Sequence, residues 1–151
     1  MDNDIREKAR ELIRKQGTCV LATAAKNHPH CSLMAYACNE TCSELYMLTG
    51  RKTRKYKNLM ENPSVSILID TRPSTLEKDH RRTNAVTLSG RYEPVVSRVE
   101  QTRMREAIKT RHPSLGDLLH DPDTQVVRIK IQSFLLLMGP NDAHYGEDLK
   151  W

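Results

Sequence analysis

Hydrophobic positions repeat along the chain in two distinct rhythms. Ile5, Ala9, Leu12 and Ile13 recur at i, i+4, i+7 and i+8 with charges between them, which predicts an amphipathic helix over residues 2–16 that Gly17 ends. Residues 18–25 read as a strand, 27–29 as a turn and 30–38 as a second strand pairing back on the first. A third strand over 44–49 follows a polar loop. Gly50 breaks it, and residues 52–61 have helix-forming composition with Tyr56, Leu59 and Met60 spaced for one buried face, before Asn62-Pro63 stops the helix. Residues 64–70 form a nearly continuous β-branched run, the pattern of a strand buried on both sides. The stretch 71–84 carries Arg72-Pro73 and His80-Arg81-Arg82 and reads as a surface loop.

In residues 85–92, Val86, Leu88 and Gly90 alternate with Thr87, Ser89 and Arg91, the signature of an antiparallel strand buried on one face. Ser97 with Glu100 three residues later makes a capping box, opening a helix whose apolar positions are Val99, Met104, Ala107 and Ile108 and which ends before His112-Pro113. Residues 125–132 alternate again, and 134–138 supply a last apolar strand. Six or seven short strands with three helices predict a mainly β fold with flanking helices, an antiparallel sheet closed into a barrel. Helices and strands do not alternate regularly enough for a doubly wound parallel sheet.

Composition bounds this picture. The chain has 151 residues, enough for one sizeable core and too few for two, so it is read as a single domain, 1–151, with a C-terminal tail over 139–151. Hydrophobic residues make up 38% and charged ones 28%, which is globular rather than disordered. The charged, helical start and the lack of about 18 consecutive apolar residues point to an unanchored cytoplasmic protein. In that compartment Cys19, Cys31, Cys38 and Cys42 are expected as free thiols, with Cys19 and Cys31 buried in their strands. A net charge of +5 favours an anionic partner of some kind.

The densest chemistry lies in Leu48-Thr49-Gly50-Arg51-Lys52-Thr53-Arg54-Lys55, where a strand ends, turns at glycine and enters a basic helix. A helix N-terminus offers unpaired N–H groups and the positive end of the dipole, and Arg and Lys complete a site for a phosphate dianion. The same run also reads as a solvated basic helix face. Cys38 and Cys42, with His28 and His30 on the preceding turn, have spacing for metal ligands but no second matching pair; free thiols beside a loop account for them equally.

The segment from His30 to Asp70, HCSLMAYACNETCSELYMLTGRKTRKYKNLMENPSVSILID, together with Thr87-Leu88-Ser89-Gly90-Arg91, resembles the pyridoxamine 5′-phosphate oxidase-like split-barrel flavoproteins. The resemblance covers most of residues 18–96 and implies a six-stranded antiparallel split barrel that works as a homodimer, with FMN held between subunits. Carried over by position, Arg54 and Lys55 grip the FMN phosphate, and Thr49 and the backbone of Leu48 contact phosphate or ribityl. Ser32, Leu33, Met34, Ala35 and Tyr36 lie along the isoalloxazine. Two departures stand out. Residues 138–147 lack the substrate-binding basic and aromatic pattern of the oxidase itself, which argues against pyridoxamine 5′-phosphate as substrate. The second strand also carries Tyr36 near where that enzyme has a lysine.

The implied function is an FMN-dependent oxidoreductase, passing electrons from a reduced donor such as NAD(P)H to a small-molecule acceptor. A carrier of the same fold holding FMN, haem or a deazaflavin is the alternative. A nucleic-acid-binding module using residues 51–57 and His80 to Arg82 is a third, but with one Phe and one Trp the chain has few aromatics for base stacking. No membrane partner is expected.

Overall fold

The computed structural model describes residues 3–71 and 83–149. The elements are helix α1 (Asn3–Lys15), strands β1 (Thr18–Ala25), β2 (His28–Ala35), β3 (Ala37–Cys38) and β4 (Glu44–Gly50), helix α2 (Arg54–Glu61), and strands β5 (Ser64–Asp70) and β6 (Asn84–Glu93). Helix α3 (Arg98–Arg111), the short helix α4 (Gly116–His120), β7 (Thr124–Met138) and β8 (Ala143–Gly146) complete the described chain. The loop expected around Arg72 to Arg82 lies outside the described residues.

All strand pairs are antiparallel, in the order β2-β1-β5-β6-β7-β4-β3, with β8 also on β7. This is the curled sheet of a split barrel, and β7 explains the curl. Its first half pairs with β4 and its second half with β8, while its other edge pairs with β6 from Arg128 to Met138. The 6–7 ladder shifts register between Ser89 and Gly90, and such a bulge sharpens the bend of a strand. Glycine is required there: a Cβ on Gly90 would stand 2.7 Å from Ile129 Cγ2 and 2.9 Å from the Lys130 carbonyl oxygen.

The concave face is the core. Alternate residues of β1, β5, β6 and β7, among them Leu21, Ile67, Leu88 and Phe134, bury against Ala9 and Ile13 of α1. The apolar stripe of α1 is buried as its spacing requires. A second cluster places Met104 and Ile108 of α3 on Ala37, Tyr46 and Leu48.

Several expectations are corrected. Eight strands are described rather than six: the tail adds β8, and the second strand is broken at Tyr36, whose ring turns into the core and whose N–H still donates to the Gly17 carbonyl in the register of the β1–β2 ladder, before Ala37 and Cys38 pair with β4. The segments 125–132 and 134–138 form one strand, because a one-residue bulge at Gln132 within β7 absorbs the change in pattern. The hairpin turn falls at Lys26 and Asn27, both with positive φ (51° and 64°), so the second strand begins at His28. β5 buries Val65, Ile67 and Ile69 while Ser66, Leu68 and Asp70 stay partly open, so among the described residues one face is covered more fully than the other. Met60 and Val99 are exposed rather than packed. Cys19 is buried but Cys31, on the convex face of β2, is exposed.

Candidate functional site

The turn from β4 into α2 is built by threonines. Thr53 caps α2: its hydroxyl oxygen accepts from the Tyr56 N–H at 3.3 Å and its hydroxyl donates to the Gly50 carbonyl at 2.9 Å. With that proton committed, the buried Thr49 hydroxyl, 3.0 Å away, donates to Thr53 Oγ1. The network fixes where the helix starts, and the N–H groups of Arg54 and Lys55 are those that have no acceptor within a helix.

Helix α2 then lies on the β1–β2 hairpin. Asn58, buried, donates from Nδ2 to Thr23 Oγ1 at 3.0 Å. This brings α2 beside the hairpin turn and opens a groove of about 840 Å³ lined by Lys26, His28, His30, Lys52, Arg54 and Lys57, with Glu61 its one acid. The two histidines and Lys26 come from the hairpin and the other three cations from the helix approach, so the groove is a convergence of two segments some 30 residues apart in sequence. Nothing in the basic run marked the hairpin residues as its partners. The signal was the two-residue turn at Lys26 and Asn27, which sets Ala25 opposite His28.

The positions singled out in the sequence divide among three places. Arg54 lines the groove and Lys55 sits half-buried beside it on the first turn of α2. Thr49 lies beneath it, and the Leu48 side chain packs in the second cluster. On β2, Met34 and Tyr36 turn inward; the Tyr36 hydroxyl donates to the Ile13 carbonyl at 2.6 Å, and burial pushes its pKa far up, so the phenol stays neutral. Ser32 and Ala35 are partly open, and Leu33 is 76% exposed. Leu33 does not stand alone. Ladder partners place Leu33, Val20, Leu68, Thr87, Leu135 and Tyr145 in one row across β2, β1, β5, β6, β7 and β8, on the convex face. Leu135 is 42% and Tyr145 60% exposed. His30, three residues from Leu33 on β2, projects to the opposite face, so the row and the groove lie on different sides of the strand.

The metal-ligand alternative is not assembled: among the described residues no three His, Cys, Asp or Glu side chains converge on one point.

A family profile described as pyridoxamine 5′-phosphate oxidase matches residues 5–137. The chain belongs to this family. Solved structures agree on the fold. A haem-binding protein from Mycobacterium smegmatis superposes with a TM-score of 0.84 at 20% identity, over 97% of this chain and 59% of the other. A FAD-binding protein from Mesorhizobium loti gives 0.71 at 19% identity, covering 93% of both chains. A putative pyridoxamine 5′-phosphate oxidase from Listeria innocua gives 0.69 at 16% identity, over 89% of this chain and 99% of that one. The chain therefore spans about three fifths of the mycobacterial protein and nearly all of the other two. No curated protein sequence matches it. Among the described residues no helix is long and apolar enough to cross a membrane.

For a member of this family, the donor set of the groove fits a phosphate-ended cofactor. Three Lys or Arg side chains on or before α2, the first N–H groups of that helix and Lys26 across the groove supply charge and hydrogen bonds to an anion.

Proposed function

We propose that the protein binds FMN and works as an oxidoreductase, passing electrons from a reduced donor such as NAD(P)H to a small-molecule acceptor. The observation that carries this reading is the cationic groove between α2 and the β1–β2 hairpin. Arg54 and Lys55 hold the phosphate, Thr49 and Thr53 set the helix end that receives it, and the backbone of Ser32 to Tyr36 borders the ring. When bound, the flavin supplies two-electron chemistry. The chain's own groups position it and keep water from one face.

In this reading the convex row is the homodimer contact. Leu33, Leu135 and Tyr145 are large apolar side chains in one line on a face that stays exposed among the described residues, and β5 has an apolar residue, Leu68, between them. A second copy applied there buries Leu68 and gives β5 the two-sided burial that its composition calls for. The FMN ring then lies at the edge of this contact.

His28 and His30 in the groove favour one other occupant, since an imidazole is an axial ligand for haem iron and one structural neighbour is a haem-binding protein. The absorption spectrum of the freshly purified protein separates the two. Flavin bands, with FMN released on denaturation and lost in Arg54→Ala/Lys55→Ala, support the proposal. A Soret band, or a colourless protein that takes up no added FMN, overturns it.

A further inference from the structure

Away from that groove, the C-terminal end of α1, β3 and α3 line an open pocket of about 650 Å³. Cys38, half-buried at the end of β3, lines it, together with Arg14, Arg103 and Arg111; Glu106 is the acid among them. Behind Cys38, on the side away from the solvent, lies Cys42. It is fully buried, and the two sulfurs are 3.8 Å apart. A disulfide requires about 2.05 Å, so closing the bond takes a movement of about 1.8 Å.

The loop between the two cysteines is pinned by its own hydrogen bonds. Asn39 Oδ1 accepts from the Glu44 N–H at 3.0 Å, Asn39 Nδ2 donates to Ser43 Oγ at 3.0 Å, and the Cys42 N–H donates to the Asn39 carbonyl at 3.1 Å. Cys42 itself takes a positive φ of 57°, uncommon for a residue with a side chain, and this turns its sulfur inward towards Cys38. Arg14 is tied to the Glu40 carbonyl at 3.1 Å, and Arg111 to the carbonyls of Arg14 and Gln16 at 2.6 and 2.8 Å, so two guanidinium groups are held at the pocket.

We propose that Cys38 and Cys42 form a dithiol–disulfide redox site whose oxidant is a low-molecular-weight disulfide bearing carboxylates, admitted to Cys38 through the arginine-lined pocket. The proposal is independent of the flavin reading. Cys38 is the attacking group because it alone faces the pocket, and the hydrogen bond from Cys42, then the charges of Arg14 and Arg111, outweigh desolvation and bring its pKa down to about 7. The Cys38 thiolate attacks one sulfur of the RS–SR molecule; that bond breaks, its electron pair leaves on RS⁻, and a mixed disulfide forms on Cys38. Cys42 is held protonated by the Cys38 thiolate and by burial. Formation of the mixed disulfide removes the thiolate charge, so Cys42 gives up its proton and attacks Cys38 Sγ from the buried side. The second RS⁻ leaves. The protein loses two electrons and two thiol protons, and the oxidant becomes two RSH.

The test uses the purified full chain carrying Cys31→Ser, which removes the exposed thiol. It is equilibrated at graded ratios of reduced to oxidised glutathione, quenched in acid, alkylated with a maleimide and mapped by peptide mass. The expected result is a peptide 27–51 with both alkylations present in reduced glutathione and both absent, with the mass of an internal disulfide, in oxidised glutathione. Cys42→Ser is expected to trap a glutathione adduct on Cys38, and Cys38→Ser to leave Cys42 unmodified. Arg103→Glu is expected to slow oxidation by glutathione disulfide at least about threefold at low salt, without slowing oxidation by neutral bis(2-hydroxyethyl) disulfide. Two alkylations persisting in oxidised glutathione, in protein whose circular dichroism is unchanged, overturn the site. Equal rates with the charged and neutral disulfides, insensitive to Arg103→Glu, overturn the oxidant class.

Discussion

Asn58 on α2 donates a hydrogen bond to Thr23 on β1, 3.0 Å away, and both side chains are buried. The bond joins the basic helix to the hairpin that completes its groove, across 35 residues of sequence. Replacing Asn58 by Ala leaves the Thr23 hydroxyl buried without this partner, at a cost of about 1–3 kcal/mol. Asn58→Ala is therefore expected to lower the urea midpoint and to weaken anion binding in the groove. Thr23→Ala in the same background should cost little more, because the two groups act as a pair. Independent, additive losses would show that the bond does not couple the elements.

Arg54 is exposed on the first turn of α2, where charge is accessible to a ligand and contributes little to folding. Arg54→Ala is expected to weaken FMN binding about tenfold, as for loss of one charge-assisted hydrogen bond, with no change in thermal midpoint of the ligand-free protein. Titration by flavin fluorescence at two salt concentrations measures this, and the variant should show the smaller salt dependence. An unchanged affinity would place the phosphate elsewhere.

Leu33 and Leu135 lie in one row of the convex face, joined through Val20, Leu68 and Thr87. A charge placed in an apolar subunit contact must be desolvated without a partner on association. Leu33→Asp and Leu135→Asp are each expected to convert a dimer to a monomer in sedimentation velocity while leaving the far-ultraviolet dichroism intact. A dimer that survives both changes would exclude this face as the contact.

Alkaline pH is expected to destabilise the fold. Burial pushes the Cys19 thiol up to about 12 and, with the neighbouring Glu44, the Tyr46 phenol to about 12; burial raises Tyr36 further still. Above about pH 9 the unfolded chain releases the Cys19 proton while the folded chain retains it. The unfolded state then binds fewer protons, so stability falls as pH rises, by up to about 1.4 kcal/mol per pH unit for Cys19, until its folded pKa is reached. Below about pH 8 this contribution is fully present. Urea midpoints between about pH 8 and 11 measure the slope, and Cys19→Ala should make it shallower. A slope unaffected by that change would assign the alkaline loss to the tyrosines alone.

The elements themselves were legible because each local signal acts over a few residues. The stripe Ile5, Ala9, Leu12 and Ile13, the Ser97–Glu100 cap, and the alternation of Val86, Leu88 and Gly90 depend on helix and strand periods alone, and all three stand in the structure. The family resemblance followed from the order of such signals from His30 to Asp70 and at Thr87 to Arg91. The errors came where a distant segment decides. Tyr36 continues an extended pattern, yet the chain changes partner there, from Gly17 at the end of the β1 ladder to β4 at Ala37, while the Tyr36 hydroxyl reaches the Ile13 carbonyl. The apolar run at 134–138 looked like a separate strand because the inward positions change parity after Ile131, and only the pairing with β6 shows that Gln132 is a one-residue bulge within a continuous strand.

From the amino-acid order alone come the helical and extended segments, the curled antiparallel class, the family, and the basic helix that follows Gly50, since each rests on period, capping or local charge. The tertiary structure alone decided that Lys26, His28 and His30 share a groove with Arg54, that Leu33 lines up with Tyr145, and that Cys42 lies behind Cys38. Those relationships are set by strand register, by one buried hydrogen bond between Asn58 and Thr23, and by a left-handed residue in a loop. Register is a property of two strands together: a slip of one residue turns every side chain to the opposite face, and no single segment records which slip the core selects.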